Sequence, residues 1–218
     1  MNELGVPYPL SNAAFAQRRA AIVPSLEYFG FNEPAAILAG TGALALAGID
    51  AHVPGIGATA FDLDVIGYYP LDRHYTALQL NQMRPDTILP TTLMSVAENP
   101  LEDGMPDGFL REAIGRAVQG ADEWQCRVLH PADAVASKRG RGDVKDIVGV
   151  LHGHIVAYTE DHPLIHDPAW RTQISRMMPY LSYAVRARAR SRSLPEWAYH
   201  LHGTNFAHPA FDDLTATL

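Results

Sequence analysis

The hydrophobic pattern begins with a stretch, SNAAFAQRRAAIVPSLEYF, that reads as a helix capped by Ser11, with Pro24 as a kink or boundary inside it. AAILAG follows as a short apolar run ending in glycine, the pattern of a buried strand, and GALALAG has helix-forming composition. AHVPGIGATA is a Pro/Gly loop, and FDLDVIGYY after it carries the apolar, β-branched and aromatic residues that strands favour. The chain therefore opens as helix, strand, turn, helix, loop, strand.

From Pro70 to Gly120 the pattern is weaker. DTILPTTLMSV suggests a strand interrupted at Pro90, DGFLREAIGRAVQG has helical apolar spacing, and EWQCRVL alternates as a strand does. Pro131 suits the first turn of a helix through HPADAVASK, and Asp143 suits the cap of the next, DVKDIVGVLHGHIVAY. A last long helix is expected within PAWRTQISRMMPYLSYAVRARARS, with Pro179 as a kink.

Composition adds few constraints. A 47% hydrophobic and 19% charged chain of 218 residues supports a substantial core with a helical appendix. Its net charge of -7 argues against a protein that coats nucleic acid through its overall field. A local basic face remains open between Pro168 and Pro195, where Arg171, Arg176, Arg186, Arg188, Arg190 and Arg192 occur without an acidic neighbour. The single cysteine, Cys126, calls for no oxidising compartment, and no segment reads as a signal peptide or a bilayer span, so a cytoplasmic protein with no membrane partner is expected. Histidines 152, 154, 162 and 166 cluster in sequence, but helix spacing and Pro163 argue against a shared zinc site.

Two readings compete for the first glycine turn. Gly40, Gly42 and Ala45 fit G-x-G-x-x-A, the turn of a dinucleotide-binding Rossmann unit. That fingerprint wants its acid at the far end of the second strand, whereas Asp62 and Asp64 come early in theirs. The other reading places Asp62 and Asp64, two apart on a strand, on one face, where two carboxylates suit a hard divalent cation such as Mg²⁺ shared with substrate phosphates. Gly40 and Thr41, opening the preceding helix, would offer backbone N–H groups and a hydroxyl to those phosphates.

The order strand, Gly-Thr, helix, Asp-Leu-Asp resembles the opening of the DNA polymerase β-like nucleotidyltransferase fold, in which D-x-D and a third carboxylate hold two magnesium ions. Both lysines of the chain, Lys138 and Lys145, fall in ADAVASKRGRGDVKDIVGVL. This segment resembles the Lys, six residues, Lys-Asp motif of AbiEii-type toxins in that superfamily, with Asp146 closing it.

The resemblance implies an α/β (α+β) fold with a mixed sheet flanked by helices, a nucleotidyltransferase-like core over residues 1–142 and a helical C-terminal region over 143–218. It further implies transfer of a nucleoside monophosphate from an NTP to a hydroxyl, with RNA or tRNA as acceptor and a cognate antitoxin as partner in a toxin–antitoxin or phage-defence setting. Asp62, Asp64, Lys138 and Asp146 would be catalytic, Gly40, Thr41, Lys138 and Lys145 nucleotide-binding, and Asp62, Asp64 and Asp86 metal ligands, with Asp107 the second choice for the third acid.

The chain also departs from the pattern. Ala58, Thr59, Ala60 and Phe61 stand where an arginine and a threonine usually precede D-x-D. Asp143 replaces an arginine, with Arg141 nearby as a substitute. These departures keep a second expectation alongside the first: a protein that retains the fold without catalysis and serves as an interaction partner.

Overall fold

The computed structural model describes residues 12–53, 61–95, 105–119, 124–188 and 194–215. The Pro/Gly loop residues 54–60, with Ala58, Thr59 and Ala60, lie outside the described residues, as do the Ser11 cap, Arg190 and Arg192.

Helix α1 (Asn12–Phe29) runs through Pro24 without interruption. The buried run after it forms β1 (Ile37–Ala39) and passes directly into α2 (Gly40–Leu46). The D-x-D segment forms β2 (Leu63–Gly67), and Pro90 marks the start of β3 (Thr91–Ser95). EWQCRVL contributes only the two residues of β4 (Arg127–Val128). The strands form one mixed sheet in the order β3-β2-β1-β4, with β1 antiparallel to β2 and the other pairs parallel. The protein is thus a mixed α/β structure.

The antiparallel β1–β2 pair disposes of the dinucleotide reading. A Rossmann unit joins two parallel strands through its helix, whereas here α2 leads back into an antiparallel neighbour.

The helix expected to reach Gly120 stops sooner: α4 spans Phe109–Arg116, and Val118 bridges Val128. Helix α3 (Leu71–Met83) was not foreseen, and the reason is visible in its burial. Only Ala77 is buried along it, while Leu71, Tyr75 and Leu78 are exposed, so its apolar positions do not mark a core-facing stripe.

The sheet separates two cores. On one face Leu38, Leu63 and Val65 pack with Ile22, Leu26 and Phe29 of α1 and with Ala77 of α3. On the other, Ile37, Ala39, Ile66 and Met94 pack beneath α5 (Pro131–Arg141) and α6 (Val144–Thr159). This second core continues without a break through α7 (Pro168–Arg188), α8 (Glu196–Gly203) and α9 (Pro209–Thr215), so residues on both sides of position 142 share it. No helix among the described residues is long and apolar enough to cross a membrane.

Candidate functional site

Strand alternation decides where the acids point. Phe61, Leu63 and Val65 face α1, so Asp62, Asp64 and Ile66 face the side on which α5 and α6 pack. Asp64 pairs in register with Ala39, the last residue before α2, and with Thr92 on β3. Asp62 is exposed just ahead of the strand, and Asp64 is partly buried.

Gly40 fits this arrangement for two reasons. Its φ of +57° lies in the left-handed region, and a Cβ there would stand 2.3 Å from Asp64 Oδ2. The turn is glycine because the carboxylate occupies the space a side chain would need.

The two lysines arrive from a helical corner. Helix α5 ends in Gly142 at φ +66°, whose N–H reaches the Lys138 and Arg139 carbonyls, and Asp143 then caps α6 by accepting from the Lys145 N–H at 3.1 Å. This corner folds the end of α5 against the first turn of α6. Lys138 Nζ lies 2.5 Å from Asp146 Oδ1, and Arg141 Nη2 lies 2.9 Å from Asp146 Oδ2. Lys138 and Asp146 are both buried and Arg141 is partly so, and one carboxylate between two cations leaves a net positive charge beside the sheet. Lys145 is more open, with 41% of its side chain exposed and Asp143 3.9 Å away.

One pocket gathers these groups: Thr41 from α2, Asp62 and Asp64 from the β2 segment, and Lys138, Arg141, Lys145 and Asp146 from the helical corner. Its remaining wall is Ala51, His52, Val53 and Phe61. That wall was not anticipated. It is seated by Gly149 of α6, where a Cβ would meet the Ala51 carbonyl oxygen at 2.1 Å, so helix and loop pack backbone to backbone. Arg18 of α1 pairs with buried Asp50 at 2.8 Å, and Asp50 Oδ1 accepts from the His52 N–H. Burial and the nearby Arg18 cation lower the His52 pKa, against the opposing pull of Asp50 and Asp62. The sequence signal was slight: a polar Ile-Asp-Ala-His step directly after a glycine.

Burial, reinforced by the neighbouring Asp62 carboxylate, raises the Asp64 pKa to about 6; Lys138 and Arg141 oppose the rise without cancelling it. Neither Asp62 nor Asp64 forms an ion pair with a described residue.

The third metal-binding acid is not where the sequence suggested. Asp86 is exposed in the turn between α3 and β3, Asp107 is exposed ahead of α4, and neither lines the pocket. The position beside Asp64 on β3 is Thr92, and no group of three His, Cys, Asp or Glu among the described residues is arranged to hold a metal ion. The expectation failed because Asp86 precedes Pro90, and the strand starts only after that proline. The third carboxylate in the pocket is Asp146, already engaged by two cations. Of the clustered histidines, His154 lies in the α6–α9 core, bonded to Ala210 and Trp170, and His162 caps the short helix at Pro163.

Compared with known proteins, the chain matches no family model, no curated protein and no solved structure.

Proposed function

We propose that this pocket binds a nucleoside triphosphate with magnesium and transfers the nucleoside monophosphate to a hydroxyl, releasing pyrophosphate, as nucleotidyltransferases of the polymerase β-like fold do. The observation that carries the reading is the opposition, across one pocket, of two carboxylates on one strand face and three cations from the α5–α6 corner.

The donor set suits Mg²⁺. Asp62 and Asp64 are two like charges without an ion-pair partner among the described residues, and burial of Asp64, reinforced by the Asp62 charge, raises its pKa. Two protein carboxylates, with phosphate oxygens and water completing the shell, are how this ion is commonly held. When bound, the ion lowers the pKa of an attacking hydroxyl and neutralises charge on the phosphates.

The chain's own groups do the rest. Lys145 and Arg141 bind phosphate oxygens. Asp146 fixes the Lys138 ammonium in one place, so that its charge is already organised when the nucleotide arrives. Thr41 offers a hydroxyl at the head of α2. For the acceptor we follow the resemblance: an RNA hydroxyl such as a tRNA 3′ end, in a cytoplasmic toxin–antitoxin setting with a cognate antitoxin.

The test is incubation of the protein with Mg²⁺, labelled NTPs and an RNA pool, followed by mass spectrometry of the RNA. Transfer of label by the wild type and its loss in Asp64→Asn is the expected result. No incorporation together with no NTP binding would overturn the proposal. Thr92 supports a second reading, since it occupies the β3 position beside Asp64 where a further acid would complete a two-metal site. In that case NTP binds through the same cations without transfer, and the protein is a nucleotide-dependent interaction partner.

A further inference from the structure

A second cleft adjoins the phosphate pocket and shares one residue with it. Arg141 lines both, and on the far side of it a hollow of about 430 Å³ is bounded by Gly142, Pro179, Tyr180 and Tyr183. The two surfaces differ in chemistry. The first is charged, whereas the second is built from two phenol rings, a proline ring and a glycine.

Helix α7 explains how the rings get there. Positions 179, 180 and 183 fall on one helical face, and the buried residues Met177, Met178, Leu181 and Ala184 fix the other side of the helix in the core. Tyr183 is 59% exposed. Pro179 and the two rings make that rim largely apolar, with the Arg141 guanidinium and the two tyrosine hydroxyls as its polar side-chain groups. A flat, polarisable face with few directional groups recognises another flat π-system by stacking.

We propose that the Pro179–Tyr180–Tyr183 cleft is a nucleobase subsite, holding the base of the same nucleotide whose phosphates lie among Lys138, Arg141 and Lys145. This inference rests on the triphosphate reading of the neighbouring pocket. Arg141 marks the joint between the two: its guanidinium is tied to Asp146 on the phosphate side, and its neighbour Gly142 forms the wall on the ring side. A nucleotide is the ligand that carries an anionic chain and an aromatic plane a few bonds apart. Because stacking carries the recognition, all four bases bind, with purines favoured for their larger face.

The experiment compares ATP with inorganic tripolyphosphate, which has the phosphates but no base, by titration calorimetry in Mg²⁺. Tyr183→Ala should weaken ATP binding about tenfold or more, on the scale of losing one stacked base, and leave tripolyphosphate affinity unchanged. Tyr183→Phe, which keeps the ring, should bind ATP as the wild type does. Circular dichroism and thermal melting confirm that the exposed substitution leaves the fold intact.

If the wild type binds tripolyphosphate and Tyr183→Ala leaves ATP affinity unchanged, the base subsite is overturned while the phosphate pocket stands. If neither ligand binds the wild type, the triphosphate reading itself falls. A third arm uses a single-stranded RNA oligonucleotide: loss of its binding in Tyr183→Ala, with ATP unaffected, would assign the cleft to an acceptor strand and overturn the proposal as stated.

Discussion

The Lys138 ammonium lies 2.5 Å from the Asp146 carboxylate, across the corner that joins α5 to α6, and both side chains are shielded from water. A buried charge that loses its partner costs more than the pair was worth, because the survivor stays desolvated. Asp146→Leu strands both Lys138 and Arg141 and should lower unfolding free energy by about 3–5 kcal/mol. The double variant Lys138→Met/Asp146→Leu should recover a large part of that loss. Urea unfolding of both variants measures the coupling; equal losses in the single and double variants would show that the pair is not a closed unit.

Lys145 separates binding from folding more cleanly. It lines the same pocket, but its side chain is 41% exposed and its contact with Asp143 is a loose surface pair. Lys145→Ala should change stability by no more than about 0.5 kcal/mol. It should weaken Mg·NTP binding by about 1.5–3 kcal/mol, the range for a charge-assisted hydrogen bond. Lys145→Arg should restore only part of that, since the guanidinium fork differs from a compact ammonium in reach and shape. Calorimetric titration with each NTP reads all three, and unchanged affinity in Lys145→Ala would remove this residue from the phosphate site.

His154 makes the helical region sensitive to acid. Trp170 Nε1 donates to its Nδ1 at 3.2 Å, and its Nε2 lies 2.8 Å from the Ala210 carbonyl oxygen, so the neutral Nε2–H tautomer satisfies both bonds. Burial, with Arg171 and His208 nearby, lowers its pKa from 6.5 to about 4. The unfolded chain therefore binds this proton first, and the contribution, complete above pH 6.5, is lost as pH falls towards 4. Its full size is about 3 kcal/mol. In His154→Gln, which keeps a donor and an acceptor but does not titrate, unfolding free energy should fall less steeply over that interval; identical slopes by urea titration at several pH values would refute this.

Much of the site could be read from the sequence because it rests on local rules. Period-two alternation set Asp62 and Asp64 on one face, and the Gly142–Asp143 stop and cap brought Lys138, Lys145 and Asp146 to one corner. What escaped was non-local. The antiparallel sense of β1 and β2 depends on how the sheet closes, which no local pattern encodes. The Arg18–Asp50 pair joins positions 32 residues apart. Asp86 misled because an acid at the start of an apolar run looks like one at the start of a strand, and only the placement of Pro90 tells them apart. Helix α3 was missed for the opposite reason: Leu71, Tyr75, Leu78 and Met83 are exposed while Ala77 and Leu80 meet the core, so no single apolar stripe marks its buried side.

Asp64 provides the sharpest link between stability and function. Its carboxyl is raised from 3.8 to about 6, so the folded protein holds this proton more tightly than the unfolded chain does. The penalty is absent below pH 3.8 and fully present above pH 6. Replacing the carboxylate with the isosteric amide in Asp64→Asn removes the charge without opening a cavity. The variant should be about 1–3 kcal/mol more stable than the wild type at pH 7.5, and the advantage should vanish near pH 4. Magnesium should act in the opposite sense, because a cation between Asp62 and Asp64 compensates both the desolvation of the Asp64 charge and its repulsion by Asp62. Wild-type Tm should therefore rise with Mg·NTP, and the Tm of Asp64→Asn should not. A thermal-melt matrix of both proteins across pH, with and without Mg·NTP, checks the two arms together. A variant less stable than the wild type at pH 7.5 would mean that Asp64 makes a favourable structural contact. An equal Mg·NTP shift in both proteins would place the cation elsewhere.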